Sequence, residues 1–156
     1  MFIHKQYPQA SVAFLRAGRD LEAAICDAYN LREKARLTST TARAARIQDF
    51  VTAANAFTAC ARDSPSTQVK ERLACYGAAG ECYFEAREFK SAGDSYRMAE
   101  QYPEAARTYR EGGYFDEMAK VIIQHGDALD GGLLERVIRV AQMYYFKVYF
   151  NGQLVS

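Results

Sequence analysis

The chain contains 156 residues, of which 49% are hydrophobic and 25% are charged, and its formal net charge is +1. This composition is ordinary for a globular protein, and a chain of this length can bury roughly two-thirds of the surface that it exposes when unfolded. A net charge near zero provides no overall field that would attract nucleic acid or acidic lipid. No signal peptide is recognisable at the start of the sequence, and no run approaches the ~18 apolar residues of a membrane helix. We therefore expect an intracellular protein of the cytoplasm or nucleus that does not enter a membrane.

The charges are unevenly distributed between the two halves of the chain. Residues 1–80 carry 11 basic and 7 acidic side chains, a net charge of +4, whereas residues 81–156 carry 9 basic and 12 acidic side chains, a net charge of −3. The four cysteines lack CxxC spacing and lie within helical patterns, which favours buried free thiols in a reducing compartment over disulfides. We therefore expect no metal and no cofactor. The cysteines are Cys26, Cys60, Cys75 and Cys82.

The first helix is predicted from a module that the chain uses twice. Residues 6–10 read QYPQA and residues 101–105 read QYPEA, and the match continues at the same offset to Phe14 and Tyr109. Proline suits the first turn of a helix, because the N–H that it lacks would have no partner there. Asp20 replaces an aromatic residue of the second copy, and we expect it to be the N-cap of the next helix.

Three longer helices are predicted in the middle of the chain. The first runs from Leu21 to about Arg36 and ends at the polar stretch 37–41, which offers N-cap residues for the second. The loop 63–66 separates the second helix from the third, which covers about 67–86. The second helix carries an apolar stripe at helical spacing, formed by Ile47, Phe50, Val51, Ala54, Phe57 and Ala61.

Residues 83–121 contain a repeat of thirteen residues. Its key positions lie three apart, which places them on one helix face. Because a single long helix would carry this stripe around its surface, we predict a run of short helices with breaks at 87–88, 100–101 and 112–113. We also predict that Phe89 lies in the core between helices. The columns of the repeat are Tyr83, Tyr96 and Tyr109; Ala86, Ala99 and Gly112; Phe89, Tyr102 and Phe115; and Ala92, Ala105 and Met118.

The last helix is predicted from Leu133 to about Phe150. Its tail is apolar nearly all round and holds more aromatic residues than one face can bury. Because an array of helical repeats needs a polar outer face at its end, we expect an exposed aromatic patch that binds a partner or supports self-association. The alternative is a tail that folds back and caps the array. The aromatic residues are Tyr144, Tyr145, Phe146, Tyr149 and Phe150.

These patterns predict an all-α fold of about seven or eight helices in a single domain, residues 1–156. The pattern of Gly80, Tyr83, Phe89, Ala92 and Tyr96 resembles the helix-turn-helix signature of tetratricopeptide (TPR) repeats. The resemblance implies a TPR-like α-solenoid, which is a right-handed array of helical hairpins, as part of a larger protein. Solenoids of this kind present a concave face to protein partners.

A second resemblance covers about residues 6–145. The order of the segments, with residues 28–36 (AYNLREKAR) as the distinctive part, is similar to the helical repeat region of proteins related to TPR-and-ankyrin-repeat-containing protein. In fungi these proteins carry a UvrD-like helicase core, so the resemblance implies an accessory region of a nucleic-acid helicase. The chain has no GxxxxGK[ST] loop for phosphate, and the resemblance therefore implies no ATPase activity.

One basic cluster is a candidate binding site for phosphate groups or an acidic partner. It contains a single acidic residue, Glu33, and no alternating aromatic residues on which bases could stack. The alternative is a solvated helix end, where basic residues suit the helix dipole. The cluster consists of Arg32, Lys34, Arg36, Arg43 and Arg46.

No catalytic site is predicted. His4 and His125 have no carboxylate or cysteine at a ligand or triad spacing, and His125 precedes Gly126 at a helix end, where it can cap carbonyl groups. Glu81, Glu85 and Glu88 are expected on one surface face of a helix. General acid–base catalysis by two carboxylates would require a pocket instead.

The sequence therefore favours a non-enzymatic protein-interaction scaffold. Its expected partner is another protein or a neighbouring domain of the same chain. Two alternatives stay open: an accessory helicase region that contacts nucleic acid or the motor core, and a solenoid of a coat or transport complex.

Overall fold

The computed structural model describes the backbone of residues 6–155 and the side chains of residues 6–148. These residues are helical with no strand among them, which confirms the predicted all-α class and the expected number of helices. A short 3-10 helix at Gly126–Ala128 precedes the last helix. The α-helices are α1 Tyr7–Arg16, α2 Asp20–Leu37, α3 Arg43–Asp63, α4 Val69–Glu85, α5 Phe89–Met98, α6 Tyr102–Gly112, α7 Phe115–His125 and α8 Gly131–Val155.

Each helix packs on its neighbours in the chain. The contacts run in order from α1 to α8, and α6 also contacts α8. One group of buried side chains lies among α2, α3 and α4, around Phe50 and Phe57. A second group lies among α5 to α8, around Tyr109, Met118 and Leu133. Most helices therefore bury their apolar faces against sequence neighbours, as repeat proteins do.

The longer helices lie close to their predicted bounds. In the predicted stripe of α3, the residues Phe50, Ala54, Phe57 and Ala61 are buried, and the other two are half-buried. Three aromatic rings tie the first helices together. Tyr29 of α2 stacks on Tyr7 of α1, with 5.4 Å between the ring centroids. It also meets Phe57 of α3 edge-on at 5.0 Å.

Four helices end in the same way. Within two residues of each end, one residue adopts a left-handed conformation; these residues are Gly18, Arg87, Glu100 and Gly113. The next N–H donates back across the last turn to a carbonyl, which is the Schellman arrangement that satisfies helix C-termini. The left-handed residues at 87, 100 and 113 confirm the predicted breaks. These hydrogen bonds are Arg19 N to Phe14 O (2.8 Å), Glu88 N to Tyr83 O (2.9 Å), Gln101 N to Tyr96 O (2.9 Å) and Tyr114 N to Tyr109 O (2.8 Å).

Two tyrosines of the repeat lie against glycines of the preceding helix. Tyr96 of α5 contacts Gly80 of α4, where an added Cβ atom would lie only 2.9 Å from the ring. Tyr109 of α6 lies still closer to Gly93 of α5, and its hydroxyl donates to the carboxylate of Asp94. Only a residue without a Cβ atom permits this approach, so the glycines set the spacing between these helices.

The columns of the repeat differ in burial. The column that begins with Ala92 is fully buried, whereas the aromatic column that begins with Phe89 is only half-buried. The prediction that Phe89 lies in the core is therefore wrong, and its ring instead meets Phe84 edge-on, with 5.4 Å between centroids. Each residue of this column is the first of its helix, where a side chain leans back over the preceding turn. The buried column is Ala92, Ala105 and Met118, and the half-buried one is Phe89, Tyr102 and Phe115.

The start of α2 differs from the prediction. Asp20 is the first residue of the helix and Arg19 is its N-cap, without a side-chain capping bond. Arg19 instead donates to Glu22 at 2.8 Å and lies over the Phe14 ring, 5.0 Å from its centroid. Leu21 packs at the edge of the first core group, and Asp20 still suits the positive end of the helix dipole.

The last helix is longer than predicted. It begins at Gly131 and continues past Phe150 to Val155. At its start, the carboxylate of Asp130 accepts a hydrogen bond from the N–H of Leu133 at 2.9 Å, which caps the helix. The apolar tail is therefore helical, as predicted, and the helix continues beyond it.

Candidate functional site

Three of the five residues of the predicted basic cluster meet in one cleft between α2, α3 and α4. The cleft has a volume of about 330 Å³. Arginines come from α2 and α3, and the two glutamates that face them come from α4. The lining residues are Arg32, Arg36, Arg46, Phe50, Glu81, Cys82 and Glu85.

Arg46 holds the C-terminus of α2. One guanidinium nitrogen, Nη1, donates to the carbonyl oxygens of Ala35 at 3.1 Å, Arg36 at 3.0 Å and Thr38 at 2.9 Å. The last carbonyl groups of a helix lack partners within it, and positive charge is favourable there. The guanidinium also lies 5.0 Å from the centroid of the Phe50 ring. Arg46 therefore fixes the turn from α2 to α3.

Arg32 is more enclosed than Arg36, with 15% of its side chain exposed against 47%. Its guanidinium lies over the Tyr29 ring at 4.8 Å and near the Phe57 ring at 5.8 Å. Its Nη1 atom lies 3.5 Å from Glu81 Oε2. Its Nε atom is buried without a hydrogen-bond partner in the part of the chain that the structure describes. An unsatisfied buried donor costs about 1–3 kcal/mol, so the Nε–H of Arg32 is a donor that would gain from an acceptor oxygen.

Two further residues of the basic cluster form ion pairs, and one is exposed away from the cleft. Lys34 lies 3.7 Å from Asp49, and Arg36 lies 2.7 Å from Glu33. Arg43 is exposed at the start of α3, and neither it nor Lys34 lines the cleft. Together with the glutamates of α4, Glu33 balances the three arginines. The cleft therefore lacks the excess positive charge that phosphate binding requires.

The glutamates and histidines form no catalytic arrangement in the described residues. Glu81, Glu85 and Glu88 are all exposed, although Glu88 lies in the turn after α4 and not on the same helix. His125 does not cap carbonyl groups. Its ring stacks on Tyr102, with 3.7 Å between centroids, which ties the end of α7 to the start of α6. His4 lies outside the described residues.

The cysteines are free thiols. Cys60, Cys75 and Cys82 are buried and Cys26 is half-buried. Burial raises the pKa of Cys60 to about 11 and that of Cys82 to about 12. The thiolate is the reactive form, so these groups are unreactive at neutral pH. Among residues 6–148, no group of three His, Cys, Asp or Glu side chains is placed to hold a metal ion.

A second candidate site is an apolar groove between α7 and α8, here named the C-terminal groove. Its volume is about 380 Å³, and all but one of its residues are apolar or aromatic. Ile123 is 83% exposed beside it. The groove is lined by Ala119, Ile122, Ile123, Ile138, Ala141, Gln142 and Tyr145.

The predicted aromatic patch at the end of the chain divides into two parts. Tyr144 packs on Phe115 of α7, with 4.8 Å between the ring centroids. The hydroxyl of Tyr145 donates to Asp116 at 3.0 Å, and this bond raises the pKa of Tyr145. Met143 and Phe146 are exposed, 67% and 64% respectively, so part of this stretch faces away from α7, and its use as a partner site stays a prediction. The side chains of Tyr149 and Phe150 lie outside the described residues.

A third apolar surface was not predicted. Val12 and Leu15 of α1 are 47% and 54% exposed, and we name this pair the outer face of α1. In the second copy of the module, α6, the corresponding positions hold Arg107 and Arg110. Comparing the two copies position by position would have revealed this change from charged to apolar residues.

Within residues 6–155, none of the helices combines the length and apolar character needed to cross a lipid bilayer. Comparison with known proteins gave no significant match to a family model, to a curated protein or to a solved structure. The resemblances to TPR proteins and to the helicase-associated region therefore stay predictions.

Proposed function

We propose that this chain is a non-enzymatic protein-interaction scaffold, built as a TPR-like α-solenoid of helical hairpins inside the cell. The observation that carries the proposal is the C-terminal groove. A contiguous apolar groove that includes the exposed Ile123 is the kind of surface that binds a partner. An amphipathic helix is the expected occupant, because its apolar face fits a groove between two helices.

The repeat geometry supports the solenoid part of the proposal. Helices contact their sequence neighbours, and the left-handed residues Arg87, Glu100 and Gly113 recur every thirteen residues. Similar helix ends at a constant spacing rotate each helix by a similar amount relative to the previous one. An array built in this way extends in one direction and leaves a surface at each end.

The arginine cleft gives little support to the alternative of a nucleic-acid-binding accessory region. Its guanidinium groups are engaged by carbonyl oxygens and carboxylates, through Arg46, Arg36 and Arg32. Strong salt dependence of binding to single-stranded nucleic acid would favour that alternative over a protein scaffold.

The proposal can be tested with a displayed library of amphipathic helical peptides. Binders selected on the wild-type protein are measured by fluorescence polarisation against Ile123→Asp, which places a charge at the groove. The matched control is Leu37→Asp, because Leu37 is 85% exposed at the end of α2 and lies far along the chain from the groove. We expect Ile123→Asp to raise Kd about tenfold or more and Leu37→Asp to leave it unchanged. Equal losses in both variants, or no enriched binder, would contradict the proposal.

A further inference from the structure

Apolar side chains are exposed at both ends of the run of helix contacts. Val12 and Leu15 form the outer face of α1 at one end, and the C-terminal groove with Ile123 lies at the other. Terminal repeats of a helical array usually carry polar outer faces. Two apolar ends in one chain instead indicate that each end is a contact surface for another molecule.

The two copies of the module show how α1 is specialised. In α6, the positions equivalent to Val12 and Leu15 hold arginines. Thr108 of α6 is buried, whereas its equivalent in α1, Ala13, is exposed. The small residue that α1 buries is Ser11, and the helix carries two exposed apolar residues where α6 carries arginines. Val12 and Leu15 lie three residues apart, which places them on one face of the helix.

The charges of the two halves are complementary. Residues 1–80 carry a net charge of +4 and residues 81–156 carry −3. In a pair of copies, contact between the first half of one and the second half of the other is attractive. Contacts between like halves are repulsive. The charge distribution therefore favours a head-to-tail arrangement over a symmetric one.

We propose that the occupant of the C-terminal groove is the outer face of α1 of a second copy of this chain. Val12 and Leu15 of one copy insert beside Ile123 of the next, as an amphipathic helix lies in a groove. Because the two contacting surfaces differ, every complex keeps one free end of each kind, and the assembly grows with concentration. The proposal rests on the proposed scaffold function and names its partner.

The test uses two variants that each block one end. Val12→Arg with Leu15→Arg gives α1 the residues that α6 already carries at these positions, and Ile123→Arg places a charge at the groove. Sedimentation velocity over a dilution series measures association. We expect the wild type to form growing oligomers and each variant alone to be monomeric, with apparent Kd raised about tenfold or more. An equimolar mixture of the two variants should form dimers, because each keeps the end that the other lacks.

The control variant is Leu37→Arg, which adds the same charge at an exposed apolar residue outside both surfaces and should associate like the wild type. Circular dichroism establishes that the variants are folded. A wild type that is monomeric at all concentrations would overturn the proposal, as would a mixture that stays monomeric. Association that is lost only in Ile123→Arg would also overturn it, in favour of a groove-to-groove contact. Helical peptides that bind the groove of a monomeric wild type would leave the scaffold function standing without the second copy.

Discussion

The ring of Tyr109 in α6 lies against the backbone of Gly93 in α5, so closely that a side chain at position 93 would overlap it. Tyr109 is fully buried, and its hydroxyl donates to Asp94, the residue next to this glycine. One aromatic side chain therefore sets both the distance between the two helices and their register. The same relationship recurs thirteen residues earlier, between Tyr96 and Gly80.

Replacing Gly93 with alanine should destabilise the fold, because the added methyl group displaces the Tyr109 ring. Overpacking of this kind costs about 1–3 kcal/mol, which urea denaturation would measure as a lower midpoint. Gly131→Ala is the control, because no atom lies near a Cβ added there. If Gly93→Ala and the wild type were equally stable, α5 and α6 could move apart without a loss of stability.

At two equivalent left-handed helix ends, substitutions should change the stability of the fold in opposite directions. Glu100 has φ +59° and is not a glycine, so Glu100→Gly should stabilise the fold by about 0.5–1 kcal/mol through relief of strain. Gly113→Ala, at φ +77°, should destabilise it by about 1–2 kcal/mol. Thermal unfolding of both variants checks this, and shifts of the same sign would contradict the Schellman interpretation.

The cap that Arg46 provides for α2 predicts a local effect. Arg46→Ala removes three hydrogen bonds to carbonyl oxygens and should lower the free energy of unfolding by about 1–3 kcal/mol. Arg43→Ala is the control, because Arg43 is exposed and such changes stay within about 0.5 kcal/mol. Hydrogen exchange should accelerate at the end of α2 in the first variant only. Unchanged exchange there would show that water caps the helix equally well.

The burial of the columns predicts a ranking of alanine substitutions. Phe89 is half-buried, and Phe89→Ala should therefore lower the free energy of unfolding by only about 1–2 kcal/mol. Met118 is fully buried, and Met118→Ala should cost about 2–5 kcal/mol. Denaturant titrations of the two variants decide the order. A larger loss for Phe89→Ala would restore the prediction that this column forms the core.

Stability should decrease at alkaline pH. Burial raises the pKa of Cys82 and of Tyr96 to about 12, and burial with the Asp94 hydrogen bond raises that of Tyr109 well above its usual value. These groups lose their protons at a lower pH in the unfolded chain, at about 8.5 for cysteine and 10 for tyrosine. The folded chain then holds more protons, so the free energy of unfolding falls as pH rises from about 8.5 to 12.

Tyr109→Phe provides the check on this pH dependence. It removes one raised pKa, so its stability should fall less steeply than that of the wild type above about pH 10. Cys26→Ala is a useful comparison, because Cys26 is only half-buried. Parallel slopes for Tyr109→Phe and the wild type would show that Tyr109 does not contribute.

The sequence by itself determined where the helices lie. The thirteen-residue repeat located the breaks after Ala86, Ala99 and Gly112, because helix ends depend on hydrogen bonds between residues close in the chain. The exposure of Phe146 near the end of α8 was also predicted, because a helix that is apolar nearly all round cannot bury every face. These features follow from spacing alone and need no knowledge of neighbours.

Only the tertiary structure decided what each side chain contacts. The spacing of Phe89 in the repeat predicted a core position. The residue instead lies at the start of α5, where its ring packs on Phe84 and is only half-buried. Arg46 matched a basic patch but is used to cap α2, and Arg32 and Arg36 face carboxylates. Burial and ion pairing are relations through space between residues far apart in the chain. A pattern of local spacing specifies the helices, and the packing of one helix on the next decides which of their faces remain open to a partner.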